Sequence, residues 1–139
     1  MSKRRRKRLE AKKAKAGSQL KAPSIIATNS TQSENPIFCL CFLQRDFCLS
    51  KCNPEERCAF ADTLHKLSQT TWAQIQSSNK HARGCEIIPR SSLKFVPPRH
   101  VTDDVPILAF RFFGKMPMLG YRDGRVFHVI ALDRTHDAY

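Results

Sequence analysis

What this 139-residue sequence lacks narrows its reading early. It has no uninterrupted run of about 18 apolar residues, the length a membrane-spanning helix needs, so no membrane partner is expected. Its basic start is not followed by the apolar stretch of a secretory signal, which points to a cytoplasmic protein. That location bears on the six cysteines, which in a reducing compartment serve as thiols or metal ligands rather than as a disulfide scaffold. Paired C-x2-C knuckles, the usual zinc spacing, are missing. No internal repeat is visible. Acidic residues are few, 12 against 24 Lys and Arg, and the formal net charge is +12.

That charge is unevenly spread. Residues 1–21 contain ten Lys and Arg and a single glutamate, so most of the excess belongs to the N-terminal stretch and little to the rest of the chain. The run "KRRRKRLEAKKAKAG" repels itself and buries nothing, and the following "SQLKAPSIIATNSTQSEN" is rich in Ser, Thr, Asn and Gln. The expectation is a basic, disordered or fraying arm over residues 1–35 and a folded domain over 36–139. Lys3, Arg4, Arg5, Arg6, Lys7, Arg8, Lys12 and Lys13 would neutralise phosphates, giving salt-dependent contact with RNA.

Within the domain, "IFCLCFLQ" suits a short strand. In "NPEERCAFADTLHKLSQTTWAQIQSS", Asn53 can cap, Pro54 fits the first helical position and Glu56 can complete a capping box. Phe60, Leu64, Leu67, Thr71 and Ile75 then recur at helical spacing, predicting an amphipathic helix that breaks near residues 69–71. Residues 79–104 read as a long loop with one short strand. "PILAFRFFG", "PMLGYRD" and "RVFHVIALD" follow as strands, and Asp123-Gly124 is a strong hairpin signal. The predicted fold is α+β, with a small antiparallel sheet formed by an N-terminal strand and a C-terminal three-stranded meander, packed on one or two helices.

That element order, with the closing segment "ILAFRFFGKMPMLGYRDGRVFHVIALDRTHDAY", resembles the RelE/ParE superfamily of bacterial toxins over about residues 37–139. The resemblance implies a RelE-like fold and, for the RelE branch, cleavage of messenger RNA in the ribosomal decoding site by basic sheet residues and a tyrosine near the C-terminus. Carried over by position, the basic roles fall to Arg111, Lys115 and Arg134 and the tyrosine role to Tyr139. This chain carries fewer basic residues on the meander than is typical. An antitoxin protein is the partner such a toxin implies. The ParE branch implies instead a gyrase-directed inhibitor.

The chemistry itself is simple to state. Attack of a 2′-hydroxyl on its own 3′ phosphate needs a base, cations where phosphate charge builds, and an acid for the departing 5′ oxygen. Arg111, Lys115 and Arg134 could clamp phosphate, and His128, His136 and Tyr139 could exchange protons. No cofactor is needed. His136 with Tyr139 is the favoured pair, their division of labour open, because His128 sits on an apolar face where histidines are usually structural. Cys39, Cys41, Cys48 and Cys52 could instead gather a zinc ion with His65 or Cys85, although cysteine also packs as a small hydrophobe. The competing function is a noncatalytic RNA- or ribosome-binding module in which the arm does the binding and the sheet is scaffold.

Overall fold

The structure is a computed structural model that describes residues 30–78 and 84–139. The expected arm, with Lys3, Arg4, Arg5, Arg6, Lys7, Arg8, Lys12 and Lys13, lies outside the described residues except for its last few positions. The first strand, β1 (Ile37–Cys39), leads through two short 3-10 turns to α1 (Pro54–Ser68) and α2 (Trp72–Ser77). The chain continues through β2 (Glu86–Ile88), β3 (Ile107–Phe113), β4 (Met116–Asp123) and β5 (Val126–Leu132). The α+β class is as the sequence implied.

The sheet is larger than expected. It has five strands in the order β1-β5-β4-β3-β2, with β1 parallel to β5 and all other pairs antiparallel. The parallel pair is possible because the two helices lie between β1 and the meander and supply the long crossover that parallel strands require. Two-residue turns close the meander, with Gly114 and Gly124 at φ of 56° and 60°, a conformation glycine adopts without a Cβ clash.

Both helix starts follow from local chemistry. Asn53 accepts a hydrogen bond from the Glu56 amide at 2.8 Å and Pro54 opens α1. The buried Glu56 carboxyl pairs with Arg134 and is also stabilised by the Asn53 backbone amide, the return contact of the box. A reciprocal box also forms at α2, between Thr71 and Gln74. The break between helices falls at 69–71, and Phe60, Leu67, Trp72 and Ile75 are buried against the sheet.

Two bulges set which residues face which side. In β5, Ala131 pairs with Leu119 and Val129 with Gly120, leaving Ile130 as the extra residue. Its carbonyl accepts from the Gln44 amide at 2.8 Å. The added residue resets the alternation, so Phe127, Val129 and Leu132 all join the helix-side core while Ile130 and Ala131 face the other way. Strict alternation would put Leu132 on His128's face, and the bulge moves it to the other. A second irregularity at Phe112 turns Phe113 away from the side that holds Ala109.

The face opposite the helices is covered as well. Ile107, Ala109, Leu119, Tyr121 and Ile130 pack under Val101, Leu93, Phe95, Val105 and Phe47, which come from the irregular 93–105 connection and the turn at 45–47. The long loop is thus a third layer. Residues 31–35, assigned to the arm on composition, are tied to the domain: Arg122 bonds to Thr31 and Gln32 at 2.7 Å while its guanidinium lies 4.3 Å over the Trp72 ring.

Candidate functional site

At the end of the sheet where β3 finishes and β4 begins, a cleft of about 180 Å³ opens on the face away from the helices. It is lined by Glu86 from β2, Ala109, Phe110 and Arg111 from β3, Lys115 from the turn, Pro117 from β4, and His136 and Tyr139 beyond β5. Four of the six residues nominated for catalysis therefore meet: Arg111, Lys115, His136 and Tyr139.

The loop after β5 is held in place by its own backbone groups. Asp133 donates its amide to Pro117 at 2.9 Å, anchoring the start of the loop to the cleft floor. One Asp133 carboxyl oxygen accepts from the Asp137 amide at 2.8 Å, closing a turn in which His136 takes a positive φ of 57°. The Ala138 carbonyl then accepts from the Lys94 amide at 2.8 Å, and Ala138 is fully buried. The chain is thereby folded back over the sheet, and Tyr139 rests half-buried against the second core.

Burial pushes the Tyr139 phenol above its ordinary pKa, with Glu86 and Asp133 adding in the same direction and Arg111 opposing them. The hydroxyl thus stays protonated at neutral pH and is suited to give a proton rather than to take one. Arg111, Lys115 and His136 are exposed around it, two fixed cations and an imidazole facing one carboxylate, Glu86. The arrangement can hold a phosphodiester by charge, donate a proton from Tyr139, and accept one at His136 or Glu86.

Arg134 goes elsewhere. Its guanidinium makes a two-pronged pair with Glu56 of α1, both contacts at 3.0 Å, and Glu56 is almost completely buried. The pair holds the Glu56 carboxyl below the usual carboxylate range, first through the hydrogen bonds from Arg134. A buried carboxylate needs a partner, so Arg134 fastens the end of β5 to the helix and is not a cleft residue.

His128 is also outside the cleft. It stacks on Tyr121 with ring centres 4.7 Å apart and planes 17° apart, and approaches Phe42 at 5.5 Å. Tyr121 in turn is hydrogen-bonded to His100. The His128 Nδ1 is buried without a hydrogen-bond partner among the described residues. The ring is wedged among aromatics, as a structural histidine would be. The thiols do not form one cluster: Cys39, on the edge strand β1 beside His128, neighbours Cys41, whereas Cys52 is buried in the helix-side core. Among the described residues no group of three or more His, Cys, Asp or Glu is placed to hold a metal ion, so Cys39, Cys41, Cys48 and Cys52 do not converge as a zinc site requires.

Two cleft features were not foreseen. Glu86 stands in a short strand whose place at the sheet edge only the pairing reveals, and Asp133 is indistinguishable in sequence from any polar residue closing a strand. A second, shallower hollow of about 450 Å³ between α1 and Phe113 carries Glu55 and Asp62 and no cation, which does not fit a phosphate. No described helix is long and apolar enough to cross a membrane. No protein-family model, curated protein or solved structure matches the chain.

Proposed function

We propose that the chain is an RNA endonuclease of the RelE-like toxin type that cuts messenger RNA in the cytoplasm, on the ribosome, and is neutralised by an antitoxin protein covering the cleft. The supporting observation is that Arg111, Lys115, His136 and Tyr139, drawn from separate segments, line one cleft together with Glu86. Acid, base and cations are thus all within one site, which is what metal-independent transesterification of RNA requires.

In this mechanism Arg111 and Lys115 bind the scissile phosphate and offset the charge that builds on its oxygens. His136 takes the proton of the 2′-hydroxyl as that oxygen attacks phosphorus. The bond from phosphorus to the 5′ oxygen breaks, and the Tyr139 hydroxyl supplies the proton to the departing oxygen. The products are a 2′,3′-cyclic phosphate and a 5′-hydroxyl. Glu86 lines the same cleft, and in this reading its carboxylate relays the proton. Phosphate neutralisation by the basic N-terminal residues would raise the local concentration of RNA without taking part in the reaction.

The test is to incubate the purified chain with a 5′-labelled messenger RNA and chelator, with and without translating ribosomes, and to determine the end groups. Cyclic phosphate and 5′-hydroxyl ends that vanish in His136→Ala and Tyr139→Phe support the reading. Intact RNA in both conditions, from soluble folded protein, contradicts it.

A further inference from the structure

His136 and Tyr139 reach the cleft because the loop after β5 folds back, and one side chain lies at the root of that loop. Asp133 is fully buried, yet only one of its carboxyl oxygens is occupied, by the Asp137 amide at 2.8 Å. The other is buried with no hydrogen-bond partner among the described residues. Leaving a buried carboxyl oxygen without a donor is costly, and an asparagine would hold the Asp137 amide equally well through its own oxygen. Holding the turn therefore does not account for a carboxyl at this position.

We propose that Asp133 is the positioning residue of the cleft: one oxygen fixes the 134–139 loop that carries His136 and Tyr139, and the second is an acceptor reserved for the proton-bearing groups of that loop. The inference rests on the nuclease reading for its effect on cleavage, but its effect on Tyr139 does not depend on that reading. Three observations converge on it. The backbone amide of Asp133 is bound to Pro117, itself a cleft residue, so the carboxyl is rigidly placed relative to the site. His136 and Tyr139, three and six residues on, both enter the cleft. Asp133 also lies close enough to Tyr139 to oppose ionisation of its phenol, alongside burial and Glu86 and against Arg111. Among the described residues that line the cleft, Lys115 and His136 are the remaining titratable side chains.

Asp133→Asn separates the two roles, since it keeps an oxygen for the Asp137 amide and replaces the second acceptor with a donor. The phenol of Tyr139 is followed by ultraviolet titration, as the difference between each protein and the same protein carrying Tyr139→Phe. Asp133→Asn is expected to retain the wild-type circular dichroism, to move the Tyr139 titration to lower pH, and to cleave RNA at least about tenfold more slowly. Wild-type cleavage and an unmoved Tyr139 titration in Asp133→Asn overturn the proposal. If that variant does not fold, wild type still decides against it: a Tyr139 phenol titrating at or below the value of free tyrosine overturns the proposal, because burial, Glu86 and Asp133 all act upward. A shifted titration in a protein that cleaves no RNA supports the positioning role and removes the nuclease reading instead.

Discussion

Gly120→Ala probes the feature that aims the cleft, the bulged pairing of β4 and β5. A Cβ built at Gly120 lies 2.2 Å from the His128 carbonyl oxygen and 2.6 and 2.7 Å from two carbons of the Phe127 ring. The first contact is well inside the 3.0 Å that real side-chain carbons keep, and its partner is backbone, which cannot rotate away. The ring cannot yield either: Phe127 is fully buried and held by Phe110 at 5.2 Å, Phe38 at 6.0 Å and Trp72 at 6.3 Å. Relief requires β4 and β5 to part at the bulge, so the cost falls at or above the upper end of ordinary overpacking, about 3 kcal/mol. For a domain of this size that lowers Tm by more than about 12 °C. Gly124→Ala is the control, because its Cβ would meet only the Thr31 methyl at 3.9 Å and the penalty is that of positive φ alone, about 1 kcal/mol. The assay is thermal unfolding followed by circular dichroism. A Gly120→Ala protein melting within about 4 °C of wild type refutes the close-approach argument and the pairing register behind it.

Further outcomes follow from the same structure. The Glu56 carboxyl is held low by Arg134, so its contribution to stability is present at neutral pH and is lost as pH falls through that depressed value. Tm measured against pH should therefore decline on the acid side in wild type and be flatter there in Glu56→Gln. Arg134→Ala, which leaves Glu56 buried without its cation, should melt well below wild type at neutral pH. Arg111→Gln should weaken RNA binding and reduce the slope of log affinity against log salt by about one, read by fluorescence anisotropy across a salt series. Thiol labelling timed by mass spectrometry should modify exposed Cys58 first and Cys52 last, because Cys52 is buried and burial pushes its thiol upward.

Much of the architecture was legible because it rests on local signals. Asn53 and Pro54 announced α1, the 3.6-residue spacing of Phe60, Leu67 and Ile75 announced the buried helical face, and Asp123-Gly124 announced the turn between β4 and β5. What escaped depends on pairing between distant segments. That β1 runs parallel to β5, and that β2 adds a fifth strand, are facts of hydrogen bonding that no window of residues encodes. The Ile130 bulge is similarly silent, although it decides that Leu132 faces the helices and how Asp133 and Arg134 leave the strand.

The candidate site divides along the same line. The resemblance nominated Arg111, Lys115 and Tyr139 and proton chemistry added His136, and the four line one cleft. Arg134 could not be separated from them until Glu56, 78 residues away, was seen to occupy it. His128 required its aromatic neighbours from β4 and the segment before α1 to explain its place. Glu86 and Asp133 matter through what surrounds them, a cation cluster in one case and a sealed interior in the other, and neither surrounding is local in sequence.

The central claim is that the cleft beyond β5 cuts RNA, and the most direct measurement is to map 5′ ends on a reporter transcript after inducing the full chain in bacterial cells. Wild type is compared with the double variant His136→Ala and Tyr139→Phe, both checked for soluble, folded protein. The account predicts new 5′-hydroxyl ends within the coding region in wild type and none in the double variant. Intact transcript in the presence of folded wild type, or equal cleavage by the two proteins, contradicts it.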